Sequence, residues 1–189
     1  MTQAVHCTLA AHPANPSRFH ERIDLGLHRS DDHLHIRYAI HGLNLDLRVP
    51  TPHAPAPADS LWRTTCCELF AGPAGRSSYR EFNFSPSGQW AAYDFSDYRQ
   101  RQPAPGACPA PALACRREEN LLQLEVQLPL AALPAADRLR LAFAVVLEAS
   151  DGSLGYWALA HPPGQPDFHH PAGFLLALEP AGLRPAHPA

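Results

Sequence analysis

The chain has 189 residues, a formal net charge of −3, and arginine as its only strongly basic residue type. This length suits one well-buried domain better than two, and the interspersed charges offer no basic surface for nucleic acid. No stretch reaches the roughly 20 apolar residues that cross a bilayer, so no membrane partner is expected either.

The N-terminal residues indicate the cellular compartment in which the protein is expected. They lack a basic start followed by a long apolar run, so the sequence predicts no secretory signal and a cytoplasmic protein with reduced thiols. The five cysteines are also an odd number, which excludes complete internal pairing.

Alternation of apolar and polar residues dominates the chain and is typical of strands with one buried face. In His33–His41, for example, every second residue is apolar. The predicted strands are Val5–Leu9, Ile23–His28, His33–His41, Leu45–Val49, Cys66–Phe70, Tyr79–Phe84, Gln89–Phe95, Leu113–Arg116, Leu122–Leu128, Leu139–Leu147, Tyr156–Leu159 and Phe174–Leu178. The residues expected in the core are Leu34, Ile36, Tyr38, Phe82, Phe84, Leu124, Val126, Leu141, Phe143 and Val145.

The segments between the strands complete the predicted fold. Leu130–Ala136 can form one helical turn, and the proline-rich stretches Thr51–Asp59 and Gln102–Pro111 are expected to cross between strands of the same domain. Many short strands separated by turns predict an all-β fold, an antiparallel β-sandwich of about ten to twelve strands, immunoglobulin-like or jelly-roll-like. The domain is predicted to span residues 1–183, with 184–189 as a frayed tail.

Two segments are unusual enough to suggest a family. The first reads LW-x3-C-x-ELF and then Y-x-EFNFSPSG-x-WAAY-x-F-x-x-YR, and the second reads WALAHP-x-G-x-PDFHHP-x-GF. With the N-terminal AAHP and the GLNLDLRVP run, they resemble the bacterial DOMON-like proteins. Those proteins are similar in turn to family-nine carbohydrate-binding modules and to haem-binding or sugar-binding DOMON domains. The resemblance covers nearly the whole chain and implies a β-sandwich with a ligand pocket at one end or face.

A row of polar side chains is the first candidate for that pocket. In the strand Tyr79–Phe84 the phenylalanines point one way, whereas Tyr79, Glu81 and Asn83 point the other way. Glu68 lies in the preceding strand, so the two carboxyl groups are expected on adjacent strands. Such a face suits the recognition of hydroxyl groups, because carboxylates accept hydrogen bonds and amides both accept and donate them. The alternative is an ordinary solvated face or a structural hydrogen-bond network.

The three tryptophans, Trp62, Trp90 and Trp157, are candidate stacking planes for a sugar ring. Each can equally be a core residue, since tryptophan is among the more buried residue types. Together with the polar row they predict a small-molecule ligand, a carbohydrate or a related polyhydroxylated metabolite.

The segment that follows Trp157 supplies a third group of candidates. His161, His169 and His170 are expected to line the rim of the pocket. Asp167, His169 and His170 also fall within four residues and make a weak candidate metal set, because imidazole and carboxylate are metal ligands. No helix fixes their spacing, so no metal is predicted.

Haem and catalysis are the remaining possibilities for the family. Haem-binding DOMON domains use a methionine and a histidine as axial ligands, and the single methionine here is Met1, so no haem or other cofactor is expected. Glu68 and Glu81 also resemble the carboxylate pair of a glycosidase. The sequence therefore predicts a non-catalytic ligand-binding module and leaves the oligomeric state open. The alternatives are a glycoside hydrolase that uses Glu68 and Glu81, a haem-binding or metal-binding β-sandwich, and a protein-interaction β-sandwich.

Overall fold

The computed structural model describes residues 4–16, 19, 21–42, 46–103, 106 and 108–186. Within these ranges the chain forms twelve β-strands and three single 3-10 helical turns. The strands are β1 (Val5–Ala11), β2 (Arg22–Arg29), β3 (His33–His41), β4 (Cys66–Pro73), β5 (Tyr79–Phe84), β6 (Trp90–Phe95), β7 (Ala112–Glu118), β8 (Leu121–Pro129), β9 (Leu139–Glu148), β10 (Leu154–Ala158), β11 (Leu176–Glu179) and β12 (Gly182–Pro185). The turns are Leu61–Arg63, Leu130–Ala132 and Pro171–Gly173. The predicted all-β class is confirmed.

The strands form two layers, and every pairing between strands is antiparallel within the described residues. The first layer has the order β1-β2-β3-β8-β7, and the second has the order β6-β5-β4-β9-β10. Strand β9 also pairs with β11, which in turn pairs with β12. Strand β1 belongs to both layers, because Val5–Leu9 pairs with β2 whereas Ala10 and Ala11 pair with β10.

The main core lies between the two layers and follows the period-two pattern of the sequence. All of the residues expected in the core are buried, and they contribute to one cluster. Tyr38 connects the layers directly, since its hydroxyl donates to the main-chain oxygen of Glu68 at 2.9 Å. Its ring centroid lies 6.4 Å from that of Phe143. Interdigitation of this kind is what aligned sheet packing produces.

The second layer is buried on its other face as well. Strands β4, β5 and β9 are almost completely buried along their length, so their outward residues do not face open solvent. Outward residues of β4, β5, β6, β9 and β10, together with one residue of the segment after β10, form a second, smaller apolar cluster. It consists of Phe70, Tyr79, Ala91, Tyr93, Phe95, Ala142, Ala144, Ala158 and Phe174. The second cluster positions the candidate site described below.

The structure differs from the prediction at two segments, the strand Leu45–Val49 and the start of the tail at residue 184. In the predicted strand Leu45–Val49, residue 45 lies outside the described residues, and the remainder makes only an isolated bridge between Leu47 and Ala149. The strand β12 was not predicted at all, and its last residues, Arg184 and Pro185, pair with β11. The predicted frayed tail therefore cannot start at 184, while residues 187–189 lie outside the described part of the chain. The predicted helical turn after β8 is confirmed.

No helix in the described part of the chain is both long enough and apolar enough to span a membrane.

Candidate functional site

A cavity of about 630 Å³ opens on the outward face of the second layer. Its floor carries the carboxyl groups of two strands, Glu68 of β4 and Glu81 of β5. Its walls are mainly aromatic and are formed by Trp62, Tyr93, Phe95, Tyr156 and Phe168. Its mouth carries the arginines Arg63, Arg99 and Arg101.

The pairing of β4 with β5 assembles the floor. Glu68 pairs with Asn83, which places Glu81 two residues further along the same face. The two carboxyl groups are thus diagonal neighbours on adjacent strands, as the sequence predicts. Glu68 is only 3% exposed and Glu81 only 5%, so both acids are largely removed from water.

Burial determines the charge of these acids. Burial and the neighbouring Glu81 raise the pKa of Glu68 well above its usual value. Burial also raises the pKa of Glu81, to about 7, although a hydrogen bond from Asn83 opposes this rise. In that bond, Asn83 Nδ2 donates to Glu81 Oε1 at 2.6 Å. Burial and the closeness of the two carboxyl groups therefore favour a pair that retains a proton over a pair with two negative charges.

A chain of hydrogen bonds fixes the orientation of His169 beside Glu81. Tyr79 Oη accepts the main-chain N–H of Arg99 at 3.1 Å, so its own proton is directed to His169 Nδ1 at 2.7 Å. The second nitrogen, Nε2, then carries the proton and lies 3.7 Å from Glu81 Oε2. Burial and the nearby Arg99 lower the pKa of His169 to about 4, so the ring is neutral and presents an N–H donor to the floor.

Asp167 holds the segment between β10 and β11 against the mouth of the cavity. Its carboxylate accepts hydrogen bonds from Tyr98 Oη at 2.6 Å, from Arg99 Nη2 at 2.7 Å and from the main-chain N–H of His169 at 3.1 Å. Burial opposes the charged form, but these bonds outweigh it and lower the pKa of Asp167. The ionised carboxylate is thereby tied to two separate parts of the chain.

We expect Asp167→Ala to loosen this segment without unfolding the domain. Net stabilisation per hydrogen bond is on the order of 1 kcal/mol, so losing these bonds should speed local amide exchange roughly tenfold or more. Hydrogen-exchange mass spectrometry on a peptide that covers residues 161–173 measures this. Asp137→Ala, which changes an exposed aspartate in another loop, is the matched control. Unchanged exchange in Asp167→Ala would show that other contacts hold the segment.

The structure corrects the assignment of two tryptophans. Trp62 is 45% exposed and lines the cavity, where the guanidinium of Arg63 lies 5.1 Å from its ring centroid. Trp90 is only 8% exposed and Trp157 only 1%, and both belong to the main core. They pair with core residues across their strands and share the inward face, so neither ring can stack on a ligand in this cavity.

The three candidate histidines, like the tryptophans, do not all lie at the cavity. Only His169 lines the cavity. His161 Nε2 donates to the main-chain oxygen of Ala10 at 2.9 Å, and His170 Nδ1 accepts the N–H of Ala172 at 3.2 Å to cap a 3-10 turn. Neither is a rim residue as predicted, because each is committed to the backbone.

The weak candidate metal set is not assembled. Asp167 binds Tyr98 and Arg99, His169 binds Tyr79, and His170 caps its own turn. Among the residues that the structure describes, no group of three or more histidine, cysteine, aspartate or glutamate side chains is placed to hold a metal ion.

Several cavity residues were missed by the sequence interpretation, above all Tyr93 and Phe95 of β6. The signal was present in the turn Pro86–Gly88, which pairs the core residue Phe84 with Trp90. That pairing places Trp90 inward and therefore turns Tyr93 and Phe95 outward. Tyr156, Phe168 and the three arginines carry no comparable signal.

Comparison with known proteins supports the fold. A Bacteroides uniformis protein, described as a candidate carbohydrate-binding protein, is similar with a TM-score of 0.61 and 14% identity, over 92% of this chain and 84% of that one. A family-nine carbohydrate-binding module from Caldicellulosiruptor kristjanssonii, solved with glucose, is similar with a TM-score of 0.50 and 9% identity, over 82% of this chain and 75% of that one. No protein-family model and no curated protein matches the chain. At these identities the likeness concerns the fold alone, an antiparallel β-sandwich.

Proposed function

We propose that the chain is a non-catalytic module that binds a carbohydrate or a related polyhydroxylated metabolite in the cavity on the second layer. The observation that carries this proposal is the combination of aromatic walls with a hydrogen-bonding floor on one concave face. Sugars present apolar C–H faces and polar hydroxyl edges, so they need both kinds of surface at once.

The floor supplies complementary groups for hydroxyls. Glu81 accepts hydrogen bonds, protonated Glu68 donates, and His169 offers its Nε2–H. Trp62 is the exposed ring at the mouth and is the stacking plane. A volume of about 630 Å³ lies within the usual range of small-ligand pockets and suits a mono- or disaccharide.

The similar structures favour the same ligand class. One is described as a candidate carbohydrate-binding protein, and the other is a carbohydrate-binding module solved with glucose. Membership of the DOMON-like proteins, a cytoplasmic location and function without haem remain proposals that rest on the sequence.

We expect Trp62→Ala to weaken sugar binding tenfold or more while leaving the fold intact. Loss of one stacking ring costs on the order of 1–3 kcal/mol of binding free energy, whereas an exposed ring contributes little to folding. Isothermal titration calorimetry with a panel of mono- and disaccharides first identifies a ligand and then compares the variant with the native chain. Leu175→Ala, at an exposed leucine that does not line the cavity, is the control. If no sugar gives heat with the native chain, the proposed function is wrong.

One observation favours a second function, glycoside hydrolysis. Glu68 and Glu81 are buried neighbours on adjacent strands of one cavity, and burial raises the pKa of both. A protonated and an ionised carboxyl group side by side are the general acid and the base or nucleophile of glycosidases. Incubation of the purified chain with chromogenic glycosides separates the two functions. Turnover that Glu68→Gln abolishes would establish the hydrolase, and binding without turnover would support the module.

A further inference from the structure

We infer that the cavity prefers a sugar that carries a protonated amino group over its neutral hydroxyl counterpart. This inference rests on the proposed carbohydrate function and specifies the chemistry of the ligand. It follows from the composition of the floor, where two acids are buried side by side and, among the described residues, no arginine forms an ion pair with either of them.

The absence of a cation at the floor is a geometric finding. Among the residues that the structure describes, no arginine lies within 4.0 Å of the carboxyl group of Glu68 or Glu81. The basic residue that does approach is His169, 3.7 Å from Glu81, and it is neutral there. Glu81 is partly satisfied by the hydrogen bond from Asn83, but neither acid has a cation as a direct partner. A buried acid is normally paired with a cation or fully hydrogen-bonded, so this pair offers a place for a positively charged group of a ligand.

The arginines at the mouth act on the floor only from a distance, where Arg101 and Arg99 oppose the rise in the pKa of Glu81. Each of them has a nearer partner. Arg99 Nη2 lies 2.7 Å from Asp167 Oδ1. The guanidinium of Arg101 lies 3.9 Å from the ring centroid of Tyr93, and that of Arg63 stacks on its neighbouring tryptophan. These positions leave the floor acidic and place the positive charge around the entrance.

An ammonium group matches this floor better than a hydroxyl does. In the empty cavity the acids must hold protons, whereas an ammonium between them would favour the ionised form of both and so displace a proton. A ligand hydroxyl at the same position would form hydrogen bonds with the two acids but would not attract their negative charge. An N-acetyl group loses the charge and adds bulk.

Binding should therefore release protons near neutral pH. The titratable and charged groups that face the floor are Glu68 from β4, Tyr79 and Glu81 from β5, Tyr93 from β6, and Arg99, Arg101 and His169 from the segments at the mouth. Only the two carboxyl groups change charge near neutral pH, because Tyr79 and Tyr93 have pKa values raised to about 12 and His169 has one lowered to about 4.

Matched sugar pairs test the inference by calorimetry at pH 7. The probes are glucose and glucosamine, galactose and galactosamine, and mannose and mannosamine, with N-acetylglucosamine as the uncharged amide. We expect at least one amino sugar to bind tenfold or more tightly than its neutral partner. We also expect net proton release for that sugar, measured by repeating the titration in buffers of different ionisation enthalpy.

Substitutions then locate the effect. Glu81→Gln should lower the affinity for the amino sugar more than that for its neutral partner, which brings their ratio towards one. Glu125→Gln, an exposed glutamate on the other layer, should leave the ratio unchanged. If every neutral sugar binds as tightly as its amino counterpart, or N-acetylglucosamine binds as tightly as glucosamine, this inference is overturned and the carbohydrate function stands. If no probe binds, both are overturned.

Discussion

Trp157→Ala should lower the free energy of unfolding by about 3–5 kcal/mol, the usual cost of deleting a large buried aromatic side chain. The ring is 1% exposed, and its centroid lies 5.5 Å from that of Phe19 in an edge-to-face contact. Its inward position opposite Val145 means that the cavity left behind would open inside the main core. Urea denaturation followed by circular dichroism measures the loss.

A comparison with Trp62→Ala distinguishes a tryptophan of the core from a tryptophan that binds the ligand. Trp62 is half-exposed, so its removal should change the free energy of unfolding by less than about 1 kcal/mol while it weakens sugar binding. The two tryptophans should thus show opposite effects on stability and binding. A Trp157→Ala chain of native stability that no longer binds sugar would instead place Trp157 at the ligand and contradict the structure.

Glu81→Gln should raise the free energy of unfolding at pH 8 by about 2–3 kcal/mol. The pKa of Glu81 is about 7 in the fold against an ordinary value of 4.5, so at pH 8 the folded chain must carry a buried negative charge that the unfolded chain carries in water. Stability is therefore highest below pH 4.5 for this group and falls as the pH rises through about 7. At about 1.4 kcal/mol per pKa unit, the shift corresponds to roughly 3 kcal/mol, which the neutral glutamine no longer loses.

Denaturation curves at pH 5 and pH 8 test this, with the difference between variant and native chain as the observable. Every other titratable group contributes equally to the two proteins, so the difference isolates Glu81. Glu125→Gln, whose carboxyl group is exposed, should follow the native profile and serves as the control. If Glu81→Gln raises the free energy of unfolding by the same amount at pH 5 and at pH 8, the gain does not come from the buried charge of Glu81 and the prediction is wrong.

Much of the fold is determined locally, and the sequence shows it. Period-two alternation marks where most strands lie and which residues share a face, since successive side chains of a strand must point to opposite sides. For that reason the core around Tyr38 and the polar row of β5 were predictable. The short strand β12 was not, because four residues with one buried leucine carry too little pattern.

The candidate site, like the fold, could be predicted from the sequence only in part. The sequence places Glu68 and Glu81 on neighbouring strands, because a short connection between two strands makes them a hairpin. It does not show that the outward face is covered, since alternation fixes the relative phase of side chains within a strand and not what packs on either side of the sheet. Trp90 is a different case, because its pairing with Phe84 across the turn Pro86–Gly88 places it inward and is a signal that the sequence does contain.

The sequence by itself thus determined the all-β class, most of the strands and the acidic pair. Only the tertiary structure decided which aromatic rings and which histidine meet that pair. The contact between Tyr79 and His169 joins residues 90 positions apart, and His169 lies in a segment without strand periodicity. Such a segment has no local rule for the direction of its side chains, so its position depends on the sheet against which it packs and on Asp167, which anchors it there.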